Sequence, residues 1–105
     1  MENKFIYKSN GNYFGFIQND TIFNRDGIPL GWLEGPFAWD VTGRFRGNLI
    51  KNPNNGQVYY MWLNKFSILP LPKSPKLIQS LPTLPPPPAN ISAIGLPVGW
   101  IDAFE

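Results

Sequence analysis

Residues 7–15 read YKSNGNYFG, residues 23–31 read FNRDGIPLG, and residues 39–47 read WDVTGRFRG. These are one nine-residue pattern, aromatic–x3–Gly–x3–Gly, recurring every 16 residues. The surrounding columns agree as well: Ile6, Ile22 and Ala38 precede the aromatics Tyr7, Phe23 and Trp39, and Ile17, Leu33 and Leu49 close each unit. An internal period decides the architecture before any local propensity does, because each unit must bury its apolar face on its neighbours.

Each unit has the chemistry of a short β-hairpin. Phe5 and Tyr7 alternate with Ile6, the period of two of a strand with opposed faces. Asn10-Gly11 and Asp26-Gly27 are strong hairpin signals that predict type I′ turns, with Thr42-Gly43 a weaker equivalent. The second glycine of each unit, Gly15, Gly31 and Gly47, falls inside the returning strand, where glycine costs stability unless another backbone comes close. The expectation is that the three hairpins converge on a common centre at these glycines. After the third unit the register slips: a turn at Asn54-Asn55-Gly56 leads into an aromatic strand over residues 57–69, with Tyr60 where a glycine would stand. This fourth unit is read as a divergent copy or a closing strand.

Three glycine-punctuated hairpins and a divergent fourth resemble the four-fold β-flower domain of bacterial proteins, over about residues 4–70. The resemblance implies short hairpins in pseudo-four-fold arrangement, and carries no catalytic residues. The fold class is therefore all-β: a ring or small barrel-like arrangement of three to four short antiparallel hairpins, with a Pro-rich C-terminal extension.

Composition narrows the chemistry. The chain has 105 residues, 15% of them aromatic, and contains neither cysteine nor histidine. Thiolate nucleophiles, cysteine-based metal sites and the commonest general base are thereby excluded. No Walker motif, no cluster of carboxylates for a cation and no Ser-x-x-Lys pair is present, so the reading is of a protein that is not an enzyme and takes no cofactor or metal. No apolar run is long enough to span a bilayer, and the first residues lack the apolar core of a secretory signal, so a cytoplasmic protein is expected. All nine basic residues lie in residues 1–76, while residues 77–105 carry only Asp102 and Glu105.

Nine of the twelve prolines lie from Pro70 onward. That density forbids helix and sheet and favours extended polyproline II chain. Residues 1–70 are read as the hairpin domain, 71–90 as a connector, and 91–105 as an acidic-aromatic tip. PLPKSP and LPTLPPPP fit the PxxP pattern of grooves that bind polyproline helices, but that pattern is weak and a semi-rigid spacer is the favoured reading. In the tip, Trp100, Ile101 and Phe104 crowd beside Asp102; in a helix, Trp100 and Phe104 would share a face. Large aromatics are not left in water without a receiver, so the tip either folds back on its own domain or docks on a protein partner or sister subunit. The partner-binding residues would be Trp100, Ile101, Asp102 and Phe104.

A second functional reading uses the repeat itself. Tyr7, Phe23 and Trp39, with Arg44 and Arg46, could hold a sugar or a single nucleic-acid strand by stacking and phosphate contact. The modest positive charge disfavours nucleic acid. Glu34 and Asp40, flanked by tryptophans, are close enough in sequence to suggest a carboxylate pair for glycoside chemistry, but solvated strand positions account for both. Burial of the aromatic column would remove the ligand platform; burial of Trp100 on its own domain would remove the anchor for docking.

Overall fold

Each glycine-punctuated segment folds as the expected hairpin. In the computed structural model, residues 4–54, 56, 58–78 and 82–104 are described. The strands are β1 (Lys4–Tyr7), β2 (Tyr13–Gln18), β3 (Thr21–Asn24), β4 (Pro29–Glu34), β5 (Phe37–Asp40), β6 (Phe45–Lys51), β7 (Val58–Asn64) and β8 (Trp100–Asp102). Strands β1 to β7 form a meander in which every neighbour is antiparallel. β1 then closes against β7 in parallel, Phe5 opposite Val58 and Tyr7 opposite Tyr60. The direction follows from the number: in a meander the first and seventh strands point the same way. Closure leaves no free edge along the first half of β7, and β8 pairs antiparallel with its second half. The result is an all-β disc about 36 × 35 × 20 Å.

The turns differ from expectation in type. Gly11 N donates to Lys8 O and Lys8 N to Asn12 O, both at 2.9 Å, and the second and third hairpins repeat the pattern at Asn24/Gly27 and Asp40/Gly43. Only the glycines have positive φ there, 90°, 83° and 91°, and a register shift follows each turn. These are type I turns closed by a glycine bulge, not type I′ turns. The type I′ signature, positive φ at both central residues, belongs to Asn19-Asp20 (51° and 59°) between β2 and β3. That junction carries no glycine and was not predicted.

The second glycines do mark close approach, but not to a common centre. A Cβ on Gly15 would lie 2.0 Å from Phe23 O, on Gly31 1.8 Å from Trp39 O, and on Gly47 2.5 Å from Trp62 O. Each glycine admits the backbone of the next strand along the ring. The centre is built instead by the apolar columns: Ile6, Ile17, Ile22, Leu33, Ala38, Met61 and Ala103 form one buried cluster. The alternate residues Tyr7, Phe16, Phe23, Tyr60 and Trp62, with Tyr13 and Val58, form a second. Adjacent strand residues thus serve two different cores, as alternation requires. β7 ends at Asn64 rather than Leu69, because the Asn64 side chain accepts from Phe66 N (3.0 Å) and turns the chain. Asn55, Gln57 and Glu105, which figured in the sequence reading, lie outside the described residues. Among the described residues, no helix is long and apolar enough to cross a membrane.

Of residues 71–90, expected as a connector, the described ones (71–78 and 82–90) lie along the ring. Lys73 N donates to Gly43 O (2.8 Å) and Lys76 N to Val41 O (3.0 Å) on the third hairpin. Ile91 N donates to Gly11 O (2.9 Å) and Ile94 N to Ser9 O (2.7 Å) on the first, the same two acceptor columns. Between them, the Gln18 amide exchanges bonds with Thr83 (2.6 and 3.1 Å) beside the second hairpin. Pro82, Pro85, Pro88, Ile91 and Ile94 are half-buried while the residues between them are exposed. One residue in three facing inward is the period of extended proline-rich chain. The tail is a belt that passes the hairpins in reverse order and ends as β8.

Candidate functional site

The tip expected to seek a partner is engaged by its own ring. Trp100 is half-buried in β8 and packs on the Tyr60–Trp62 cluster. Asp102 accepts from Ser9 N (2.9 Å) and from Ser9 Oγ (2.7 Å), tying the tip to the first turn. Ala103 N donates to Met61 O (2.8 Å) and its methyl enters the central cluster. Phe104 stacks on Phe14 and lies 4.7 Å under the Arg46 guanidinium, in a left-handed conformation with φ 64°. Ile101 alone points outward. The tip is strand and turn, not helix, so the i, i+4 face joining Trp100 to Phe104 does not form.

The aromatic column of the ligand reading is internal. Tyr7, Phe23 and Trp39 are 4%, 1% and 4% exposed, so with the belt in place none of them offers a ring face to a sugar or a base; the Trp39 face is covered by Lys73 of the belt. Burial raises the pKa of the Tyr7 phenol, which donates to Ala89 O of the belt (3.0 Å). Arg44 is an exposed turn residue, and Arg46 is tied to Asp40 (3.2 Å). Arg46 and Asp40 border an open cleft of about 460 Å³ lined also by Phe14, Leu30, Val41 and Phe104.

Asp40 and Glu34 are engaged separately rather than facing one another as an acid pair. Asp40 Oδ1 accepts from Thr42 N, Thr42 Oγ1 and Arg44 N, closing the third turn as Asn24 closes the second. Burial alone would raise its pKa, but the bonds from Thr42, Arg44 and Arg46 outweigh burial and hold it below the usual carboxylate value. Glu34 Oε2 accepts from Trp32 Nε1 (2.8 Å) and Oε1 meets Lys73 Nζ (3.1 Å). These bonds lower its pKa in turn.

The sequence reading missed a corner of the disc. The chain leaves the ring at Lys65, whose N donates to Gly99 O (2.7 Å) where the chain returns. Phe66 lies over Gly99, where a Cβ would come within 2.3 Å of its ring. Phe66, Ile68, Leu71 and Val98 are 77%, 99%, 86% and 90% exposed. Ile68 also borders a cleft of about 180 Å³ with Phe37, Phe45, Asn64 and Trp100. The available signal was the run Phe66-Ser-Ile-Leu-Pro-Leu71, apolar yet interrupted by turn and proline residues that prevent its burial as strand.

No curated protein and no solved structure matches the chain significantly. The sequence profile of the family described as 4-fold beta flower protein matches residues 2–102, which includes the belt and β8 as well as the ring. The closed ring of glycine-punctuated hairpins and this match together show that the chain belongs to the 4-fold β-flower family.

Proposed function

We propose that the protein is a non-catalytic protein-interaction module: the belt fastens the ring in cis, and the apolar corner at Phe66, Ile68, Leu71 and Val98 docks on a protein surface, in the simplest case that of a second copy. The observation that carries this reading is the exposure of these four side chains on two stretches, 66–71 and 98, that the Lys65 N–Gly99 O bond and Phe66 over Gly99 bring together. Apolar surface concentrated on one edge of a small protein is a mark of association. The absence of catalysis is supported by the engagement of both candidate acids in structural bonds and by a chain without histidine or cysteine.

The test is light scattering on the intact chain over a concentration series, with the Ile68→Asp and Phe66→Ser variants alongside. Association in the wild type that both substitutions abolish, with circular dichroism unchanged, supports the reading. A wild type that stays monomeric up to roughly millimolar concentration, where even weak homodimers assemble, removes the sister-subunit form of it.

A further inference from the structure

Two residues beyond Leu71, the third hairpin holds two belt lysines by ring faces, a carboxylate and backbone carbonyls together. Trp32 on β4 and Trp39 on β5 are direct register partners, so their side chains stand next to one another. Lys73 Nζ lies 4.8 Å over the Trp39 ring and Lys76 Nζ 5.3 Å over the Trp32 ring, both within cation–π range. Glu34 links the two halves, accepting from Trp32 Nε1 with one oxygen and pairing with Lys73 through the other. The backbone reads the same spacing: Lys73 N and Lys76 N reach Gly43 O and Val41 O. Pro75 between them favours extended chain, in which residues i and i+3 fall on one side. Both rings are otherwise buried, so the lysines close the outer boundary of the core at this place.

We propose that Trp32, Trp39 and Glu34, with the carbonyls of Val41 and Gly43, form a binding site for an extended peptide segment carrying two lysines three residues apart, filled here by the chain's own Lys73–Lys76 segment. The ligand class is set by two ammonium groups on two indole faces, one carboxylate, and two backbone N–H donors in the same register. A segment of that kind supplied in trans competes poorly while the tethered segment occupies the site, because tethering acts as a high local concentration. It binds once the tethered lysines are neutralised. The site lies on the third hairpin rather than at the apolar corner, and the acetylated peptide, which keeps Leu71 but loses both charges, separates the two readings.

The intact chain carrying K73Q/K76Q tests it, with the synthetic peptide PLPKSPKLI (residues 70–78) as probe. The reporter is the Trp32 indole N–H resonance, which the Glu34 bond sets. The expected result has three parts. The double substitution shifts this resonance; the peptide returns it toward its wild-type position; and the peptide binds the variant at least about tenfold more tightly than it binds the wild type, as competition with a tethered segment requires. The same peptide with both lysines acetylated does not bind, since acetylation removes charge and cation–π contact together. Equal binding of the acetylated peptide, or no binding of either, overturns the proposal. Should the double variant not fold, K76Q alone is read on the Trp32 and Trp39 ring signals, and unchanged signals overturn it equally.

Discussion

The first and third hairpin turns differ from the second in what the belt does to them, although the ring presents all three alike. At the outer two, the belt donates two N–H groups to the bulge glycine and to the residue two before it. At the second, the equivalent acceptors are Gly27 O and Arg25 O, and the belt residues at the same nine-residue spacing (73, 82, 91 and 76, 85, 94) are Pro82 and Pro85, which have no N–H to give. The contact is correspondingly looser. A Cβ on Gly11 or Gly43 would lie 1.9 Å from a belt carbonyl oxygen, whereas at Gly27 it would meet Leu84 and Pro82 side chains at 3.0 and 3.3 Å. A repeated acceptor on the ring is thus used or left according to whether the tail places a donor opposite it. Symmetry in the ring does not impose symmetry on its belt.

That comparison presumes one ring geometry under all three turns, and Gly31→Ala breaks the presumption most severely. Its methyl would meet Trp39 O at 1.8 Å, backbone that cannot step aside. A loss of about 3 kcal/mol is expected in urea unfolding, at the upper end of overpacking costs. The bulge glycines sharpen the contrast directly. All have similar positive φ, so alanine strains each by about 1 kcal/mol; displacement of the belt should raise the loss to about 2 kcal/mol at Gly11 and Gly43 and leave Gly27 near 1. Equal losses at the three positions would mean that the belt does not discriminate between them.

Asp40→Asn compares the third turn with the second, where Asn24 already does the same work. The amide keeps the turn bonds and loses the Arg46 pair, a cost of about 1 kcal/mol at pH 7. Because the folded-state pKa of Asp40 is lowered, its contribution is present above the unfolded value and fades as pH falls through the folded value. The wild type and Asp40→Asn should therefore converge in stability on acidification. Smallest of all, Pro82→Ala restores an N–H opposite Gly27 O. The gain of a hydrogen bond and the loss of proline's stiffening of the unfolded chain roughly cancel, each being about 1 kcal/mol or less. The stability should barely move, while the new amide at 82 becomes slow to exchange.

Much of the ring was legible because its signals are local. The glycine columns, the aromatic column and the alternation of Ile6 with Tyr7 each constrain a few neighbouring residues, and the period multiplies them. Turn type was less legible: Asn10-Gly11 suits both a type I′ turn and a type I turn with a glycine bulge, and the choice depends on which strand residues pair beyond it. The belt was hidden for a different reason. Proline density tells that the chain is extended but not what it lies upon, since polyproline chain has no internal bonds of its own. Even so, Pro82, Pro85, Pro88, Ile91 and Ile94 fall on one three-residue row that is half-buried, and the exposed Lys73 and Lys76, whose N–H groups meet the ring, continue the same row. The lysine site was the least legible, because it joins Trp32, Glu34 and Trp39 to residues more than 30 positions along the chain.

The central claim is that backbone bonds fasten the proline-rich tail to the first and third hairpin turns, while beside the second it is held only by the Gln18 side chain. Amide hydrogen exchange on the intact chain, resolved by residue, tests it most directly. Lys73, Lys76, Ile91 and Ile94 should be markedly protected, in contrast to Ser74, Leu84 and Ser92, whose N–H groups meet no ring acceptor among the described residues. If the four amides exchange as fast as their neighbours, the tail does not rest on the ring in solution, and the belt is wrong.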